Sequence, residues 1–293
     1  MVTPGKTLRP RERQVAMRFW WIIITRMSPS RPRVTTKPAT YWMQYSGACA
    51  AGNPGMTKLT DLRIHIYADG ADLAGILEMA KNPLIKGFTT NPTLMRKVGI
   101  ADYEKFAREL LGHITTHPVS LEVFADDFVE MRRQAEVIAG WGQNVNVKIP
   151  ITNTKGETAV PLVAELVKSG VVLNITAIMT HRQVEELAAV LSPTLTSIVS
   201  VFAGRIADTG VDPVPHMSRC KEFLAHLPAA QLLWASPREL LNIFQADAIG
   251  CDIITVTNDV LGKLSLVGKS LDDYSLETVA MFRRDAVAAG FSI

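Results

Sequence analysis

One lysine and two acids stand inside apolar segments of the chain, where charged side chains are uncommon. Lys148 interrupts residues 145–150, Glu122 interrupts residues 119–124, and Asp69 ends the run over residues 64–69. Loss of solvent favours the neutral amine of a lysine, which can attack a carbonyl carbon and give an iminium that accepts electrons. Neighbouring carboxylates can move protons directly or through a water. These residue types indicate covalent catalysis at a carbonyl, and the alternative is a lysine that only pairs with Glu122 or Asp69 inside the fold.

The elements that must position these side chains follow a regular pattern. Eight β-rich runs occur, at residues 64–69, 85–90, 119–124, 144–149, 171–176, 197–202, 231–235 and 252–257. Helical periodicity fills the gaps, and Thr180 to Gln183 has the spacing of a capping box. Eight β-then-α units within residues 56–293 predict an α/β fold, the (β/α)8 TIM barrel, which takes about 250 residues. A doubly wound sheet is the alternative, but it usually needs a glycine-rich phosphate loop, which residues 69–72 do not supply.

Strand periodicity predicts which side chains enter the barrel. Successive side chains of a barrel strand point alternately to the interior and to the surrounding helices. Val145, Val147 and Ile149 must pack on helices, so Lys148 points inward. The same argument turns these side chains inward near the C-terminal ends of other strands: Asp69, Asn91, Glu122, Phe124, Asn174, Thr176, Ser200 and Phe202. Buried polar groups are costly unless they bond to one another or to a ligand, so the C-terminal mouth is the predicted site.

Metal-ligating residue types form no cluster in the sequence. Cys49, Cys220 and Cys251 follow no metal or redox spacing, which fits buried thiols in a reducing compartment. Five histidines fall in predicted helices or loops, where ordinary core or surface positions are expected: His113, His117, His181, His216 and His226. The expected site therefore holds no metal.

The first 55 residues differ in composition from the rest. They hold nine Lys/Arg residues and one acid, whereas residues 56–293 hold 22 basic and 27 acidic residues. A nucleic-acid or lipid-binding arm and a targeting peptide are alternatives, but no basic face is present and the apolar stretch at residues 19–24 is short. The favoured interpretation is an N-terminal extension over residues 1–55, disordered or non-native, and a catalytic domain over residues 56–293. No run of about 18 apolar residues exists, so a membrane is not an expected partner. Nucleic acid is not an expected partner either, because no basic face is present.

Three segments carry a resemblance to a known family. Residues 87–95 (GFTTNPTLM), 147–150 (VKIP) and 200–208 (SVFAGRIAD) fall on predicted strands 2, 4 and 6. From about residue 62 to the C-terminus, the chain resembles the transaldolases, including their fructose-6-phosphate aldolase-like branch. The resemblance implies a cytoplasmic class I enzyme without metal or cofactor. Such an enzyme transfers a dihydroxyacetone unit from a ketose phosphate, such as sedoheptulose 7-phosphate or fructose 6-phosphate, to an aldose phosphate.

The resemblance also implies residue roles. Lys148 matches the Schiff-base lysine, and Asp69 matches the aspartate that takes the hydroxyl proton during carbon–carbon cleavage. Glu122 and Thr176 match the pair that holds a water for proton transfer at the Schiff base. Substrate binding is implied for Asn91, Asn174, Ser200 and Phe202, and phosphate binding for Arg205, Ser236 and Arg238.

Two positions favour transfer over cleavage. The related aldolases typically have glutamine where Glu122 stands and tyrosine where Phe202 stands, and those residues favour release of free dihydroxyacetone. Glu122 and Phe202 therefore favour a transferase. Fructose-6-phosphate aldolase-like cleavage and a non-catalytic barrel that binds sugar phosphates are the alternatives.

The motif on strand 7 departs from the family pattern. It reads Ala-Ser-Pro-Arg-Glu over residues 235–239, without the usual aromatic residue between serine and arginine. Ser236 followed by Pro237, with Glu239 three residues on, predicts a helix N-terminus with a capping box, and such a terminus attracts phosphate. The alternative is that Ser236 only caps its helix.

The expected partners are small molecules and further copies of the chain. The small molecules are the sugar phosphates that the resemblance implies. A helix predicted over residues 276–288 could pack on a neighbouring subunit, so a homo-oligomer is an expected assembly.

Overall fold

A computed structural model describes residues 58–293, and the predicted extension over residues 1–55 lies outside the described residues. Eight parallel strands close into one barrel in the order of the sequence, each pairing with the next and β8 pairing with β1. The strands are β1 (His65–Asp69), β2 (Ile85–Thr89), β3 (Val119–Glu122), β4 (Val145–Pro150), β5 (Leu173–Ile178), β6 (Ser197–Val201), β7 (Ala230–Trp234) and β8 (Ile253–Thr257). The predicted TIM barrel is confirmed.

Helices follow the strands, and most of them pack against the outside of the barrel. They are α1 (Leu73–Met79), α2 (Pro92–Lys97), α3 (Tyr103–His113), α4 (Phe128–Ala139), α5 (Val160–Lys168), α6 (His181–Ala188), α7 (Ala203–Asp208), α8 (Pro213–Leu224), α9 (Leu241–Ala248), α10 (Asn258–Leu261) and α11 (Leu271–Ala288). The predicted capping box at the start of α6 is confirmed, because the Thr180 side chain accepts from the Gln183 amide and the Gln183 side chain accepts from the Thr180 amide.

The alternation predicted for the strands is present in the core. The outward-facing Val147 and Ile149 of β4 are fully buried beneath the helices, as are Leu121 of β3 and Leu173 of β5. The register pairs Lys148 with Glu122 on β3 and with Asn174 on β5, so these three residues lie at one level of the barrel.

Phe124 does not face the interior, and that prediction was wrong. Strand β3 ends at Glu122, so the two-residue period no longer governs the chain two residues later. The Phe124 side chain is 49% exposed and packs edge-on against Tyr103. Its amide donates to Gln134 Oε1 at 2.8 Å instead of continuing the ladder.

The last helix, α11, begins five residues earlier than the predicted start at residue 276. None of its residues is buried. Among the helices of residues 58–293, none combines the length and apolarity needed to cross a bilayer.

Candidate functional site

A cavity of about 700 Å³ opens at the C-terminal ends of the strands. All eleven residues to which the resemblance assigns a role line it: Asp69, Asn91, Glu122, Lys148, Asn174, Thr176, Ser200, Phe202, Arg205, Ser236 and Arg238. The barrel thus brings together residues from seven strands or the loops that follow them. Their individual roles remain predictions.

Lys148 lies at the floor of this cavity with its amine held between two acceptors. Its Nζ donates to Glu122 Oε1 at 2.8 Å and to the backbone carbonyl oxygen of Thr90 at 2.6 Å. The Lys148 side chain is 12% exposed and that of Glu122 is 7% exposed. A pair so far from water gains little net stability over apolar packing, which favours a chemical role for it.

Burial raises the pKa of Glu122, although Lys148 and a hydrogen bond from Thr90 oppose that effect. The Thr90 hydroxyl donates to Glu122 Oε2 at 2.8 Å, so both carboxyl oxygens are engaged. A raised pKa moves a carboxyl group toward the range in which it exchanges protons near neutral pH. Glu122 therefore has the properties of a proton-transfer group next to an amine.

Asp69 is the second acid of the cavity. Its Oδ1 accepts from the Thr89 hydroxyl at 2.8 Å and its Oδ2 accepts from Asn91 Nδ2 at 3.2 Å. Burial raises the pKa of Asp69, while the positive charge of Lys148 and these two hydrogen bonds act in the opposite direction. The amine and the two acids supply a nucleophile and two proton-transfer groups in one cavity.

Strands β5 and β6 contribute a polar network beside the lysine. Asn174 Nδ2 donates to Ser120 Oγ at 3.0 Å, and Ser200 Oγ donates to Asn174 Oδ1 at 2.6 Å. These bonds fix the Asn174 amide. The Thr176 hydroxyl is buried and has no hydrogen-bond partner within residues 58–293, which leaves it free to bond to a ligand in the cavity.

Two arginines lie at the outer end of the cavity. Arg205, on α7, is exposed, and its guanidinium carbon lies 5.4 Å from the centre of the Phe202 ring. Arg238 Nε donates to Asp208 Oδ1 at 2.9 Å, and its Nη2 donates to Asp208 Oδ2. This end can bind an anion, with Arg238 already oriented by a carboxylate.

The predicted helix N-terminus at Ser236 was wrong. Helix α9 begins at Leu241, and Ser236 has a φ of 61°, in the left-handed region rather than the extended region typical of an N-cap. The amides of Arg238 and Glu239 donate to Asn242 Oδ1 at 2.8 and 3.1 Å. The capping-box prediction left these amides without partners and available to phosphate. Asn242, within α9, accepts their hydrogen bonds instead.

Gly204 explains how α7 approaches the loop after β7. A Cβ on Gly204 would lie 1.5 Å from the backbone oxygen of Ser236, closer than atoms can approach. The Gly204 amide donates to the carbonyl of Ala235 at 3.3 Å. The glycine therefore permits the contact that brings Arg205 and Arg238 to one end of the cavity.

Several residues of the site were missed. The motif on β2 gave no signal that Thr89, which lines the cavity, bonds to Asp69, or that the fully buried Thr90 bonds to Glu122. Thr255 Oγ1 lies 2.5 Å from Thr89 Oγ1, and Thr257 also lines the cavity. The alternation of these two threonines with apolar residues on β8 was the signal that could have identified them.

One group of metal-ligating types does occur, against the expectation from sequence. Ligand atoms of His181, His216 and Cys220 lie within 4.8 Å of one another, where α6 meets α8. The two rings stack with centres 4.0 Å apart, and His181 Nε2 lies 3.2 Å from the His216 carbonyl oxygen. Burial raises the pKa of Cys220 to about 12, which keeps it a thiol. The group lies apart from the cavity.

The chain matches known proteins over the barrel. The family model described as Transaldolase/Fructose-6-phosphate aldolase matches residues 66–293. A probable transaldolase of Dehalococcoides mccartyi is 34% identical over 202 residues, which cover 68% of this chain and 88% of that protein. A probable transaldolase of Chelativorans sp. is 32% identical over 212 residues, 72% of this chain and 92% of that protein. One from Methanococcus maripaludis is 33% identical over 199 residues, 68% of this chain and 88% of that protein.

The range that the family model matches includes β2 to β8 and nearly all of β1, and it contains the motifs on β2, β4 and β6. The chain belongs to the transaldolase/fructose-6-phosphate aldolase family.

Proposed function

We propose that the protein transfers a dihydroxyacetone unit from a ketose phosphate to an aldose phosphate through a Schiff base on Lys148. The observation that carries the proposal is the position of the Lys148 amine, in the cavity and hydrogen-bonded to Glu122 at 2.8 Å. Family membership supports the reaction class. Sedoheptulose 7-phosphate and fructose 6-phosphate are the proposed donors.

The first half of the reaction forms the covalent intermediate. The neutral amine of Lys148 adds to the C2 carbonyl of the ketose phosphate, and the resulting carbinolamine loses water to give an iminium. Glu122, with a water held also by Thr176, supplies the proton that the departing hydroxyl needs. The engaged carboxyl oxygens of Glu122 and the unpartnered hydroxyl of Thr176 are consistent with these roles.

Carbon–carbon cleavage and transfer follow. Asp69 takes the proton of the C4 hydroxyl, the C3–C4 bond breaks, and its electron pair flows into the iminium to give an enamine. The aldose phosphate leaves, a second aldose phosphate enters, and the enamine attacks its aldehyde carbon while Asp69 returns its proton to the new C4 oxygen. Water then hydrolyses the new iminium and frees Lys148. No step in this sequence requires a metal ion.

The outer end of the cavity suits the phosphate group of the donor. Arg205 is an exposed cation there, and Arg238 is oriented by Asp208. Arginine binds phosphate oxygens through two parallel hydrogen bonds, which favours a phosphorylated over an unphosphorylated ketose.

The family includes enzymes that cleave and enzymes that transfer, so the test must separate them. Purified protein is incubated with fructose 6-phosphate, first alone and then with an aldose phosphate such as erythrose 4-phosphate. We expect little free dihydroxyacetone in the first case and formation of a new ketose phosphate in the second. Lys148→Met, which keeps the volume but removes the nucleophile, is expected to abolish both.

Each other outcome points to a different assignment. Rapid release of dihydroxyacetone without an acceptor would assign the chain to the aldolase branch. Binding of fructose 6-phosphate without turnover under either condition would leave a barrel that only binds sugar phosphates.

A further inference from the structure

Thr90 contacts both the amine and the acid at the floor of the cavity. It lies between β2 and α2 and is fully buried. Its carbonyl oxygen accepts from Lys148 Nζ at 2.6 Å, and its hydroxyl donates to Glu122 Oε2 at 2.8 Å. With the bond from Lys148 to Glu122 Oε1 at 2.8 Å, the three residues form a closed hydrogen-bonded ring.

The ring constrains the direction in which the amine can react. A neutral amine has two N–H groups and one lone pair. Cε and the two N–H groups, which point to the Thr90 carbonyl and to Glu122, take three of the four tetrahedral directions. The lone pair takes the fourth, away from both acceptors. The Thr90 carbonyl is therefore one of two groups that set the approach of a substrate carbonyl to Lys148.

The Thr90 hydroxyl constrains the acid. Its oxygen lies 3.1 Å from the Ser120 carbonyl oxygen and 2.8 Å from Glu122 Oε2, and its single proton can serve only one of them fully. A carboxylate is the stronger acceptor, because charge shortens and strengthens the hydrogen bond. The hydroxyl thus holds one oxygen of Glu122 and leaves the other facing the amine.

We propose that Thr90 is a positioning residue for the reaction, fixing the Lys148 amine with its carbonyl and the Glu122 carboxyl with its hydroxyl. The inference rests on the proposed function. When Nζ becomes part of the iminium, it keeps only one N–H. It can then no longer donate to the Thr90 carbonyl and to Glu122 at the same time. The Thr90 hydroxyl still holds Glu122 in place, so the acid stays near the nitrogen while it transfers protons.

The charged and titratable groups around Glu122 define the pH dependence to expect. Burial raises the pKa of Glu122, Lys148 on β4 and the hydrogen bond from Thr90 lower it, and Asp69 on β1 raises it. Tyr103 on α3 also interacts with Glu122, and its phenol stays neutral because burial raises its pKa. Removal of the Thr90 hydroxyl alone should therefore raise the pKa of Glu122 further.

The test compares Thr90→Val, which removes only the hydroxyl, with Thr90→Ser, which retains it. For Thr90→Val we expect a loss of kcat of roughly ten- to hundredfold, typical of an unpartnered buried acceptor, with little change in KM. The limb of the pH–rate profile that reports the titration of Glu122 should move to higher pH. Thr90→Ser should restore most of the rate and the wild-type profile. Thr194→Val, in the exposed loop before β6, is the control and should behave as wild type.

Borohydride trapping of the Schiff base separates this inference from the proposed function. No adduct in the wild-type protein would overturn the proposed function itself. An adduct in the wild type, with wild-type kcat and pH profile in Thr90→Val, would overturn the role of Thr90. A loss of kcat without a shift of the profile, or one that serine does not rescue, would show a purely structural role. Thr90→Ala replaces the valine variant if melting curves show that the latter does not fold.

Discussion

Asp69 and Glu122 hold two carboxyl groups out of water beside a single cation, Lys148. Burial outweighs the attraction of the lysine for both acids and raises the pKa of each. Charged groups in such surroundings cost stability unless their hydrogen bonds are complete. This arrangement is typical of a site where stability is given up for reactivity.

The raised pKa of Asp69 predicts a pH-dependent stability. An acid whose pKa is higher in the folded state destabilises that state as pH rises through the folded value. Asp69→Asn should therefore have a higher free energy of unfolding than wild type at pH 7. The difference should shrink as pH falls toward the ordinary aspartate range, and turnover should fall about a hundredfold or more. Urea unfolding at several pH values and the transfer assay test both effects.

Asp126 provides a control of opposite sign. It accepts hydrogen bonds from the Thr154 amide at 2.7 Å and hydroxyl at 2.6 Å, and these lower its pKa. The ionised Asp126 therefore adds to the free energy of unfolding at neutral pH, and this addition is lost as pH falls through the lowered pKa. Asp126→Asn should thus weaken the protein at pH 7. A lower stability of Asp69→Asn at pH 7 would contradict the account of Asp69.

At the scale of elements, the phosphate end depends on one close backbone contact. Gly204 on α7 lies against the carbonyl of Ser236, and Arg205 and Arg238 are carried on the two sides of that contact. Ser236 is left-handed, a conformation that is uncommon for a residue with a Cβ. The close contact and the left-handed φ both occur at Ser236, so α7 and the loop after β7 constrain each other's position.

Gly204→Ala should disturb this end of the cavity. The new methyl group would meet backbone rather than a movable side chain, so the loop that carries Arg238 must shift. We expect a loss of stability of about 1–3 kcal/mol and a larger rise in KM for fructose 6-phosphate than for unphosphorylated fructose. Steady-state kinetics with both ketoses and thermal unfolding measure these changes.

Gly112→Ala is the matched control for that substitution. Gly112 lies in α3 with nothing within 4 Å of its added Cβ, so the change should stabilise the protein by about 0.5–1 kcal/mol. Equal rises in KM for both ketoses in Gly204→Ala would argue against a role of this contact in phosphate binding.

The sequence predicted most of the barrel because strand periodicity is a local signal. Alternation in β4 and β5 placed Lys148 and Asn174 correctly, since both lie within regular strands. It failed at Phe124, which lies beyond the end of β3. Ser236 was misassigned for a related reason: its conformation follows from a contact with Gly204, which is distant in the sequence. The contacts of Thr90 also join distant parts of the sequence, because this residue follows β2 and bonds to Glu122 on β3 and Lys148 on β4.

At the scale of the whole molecule, α11 has no residue buried in the barrel. Its apolar side chains include Leu276, Val279 and Phe282, which are 69%, 61% and 63% exposed. Contiguous exposed apolar surface of this kind marks interaction sites. We propose that these side chains pack on a second copy of the chain.

Charge on α11 should therefore weaken assembly. Leu276→Glu combined with Phe282→Glu is expected to give monomers where the wild-type protein forms oligomers, because two carboxylates would have to be buried at the contact. Light scattering coupled to size-exclusion chromatography measures the mass. Val129→Glu, at a 79% exposed position of α4, is the control and should leave the mass unchanged. A monomeric wild-type protein would contradict the proposal.

The most direct measurement is reductive trapping with fructose 6-phosphate and borohydride, followed by mass spectrometry of the digested protein. We expect a reduced three-carbon adduct on Lys148, absent from Lys148→Met. The same adduct is expected from any ketose phosphate that the protein uses as a donor. No adduct, or an adduct on a different lysine, would contradict the central claim that Lys148 is the nucleophile.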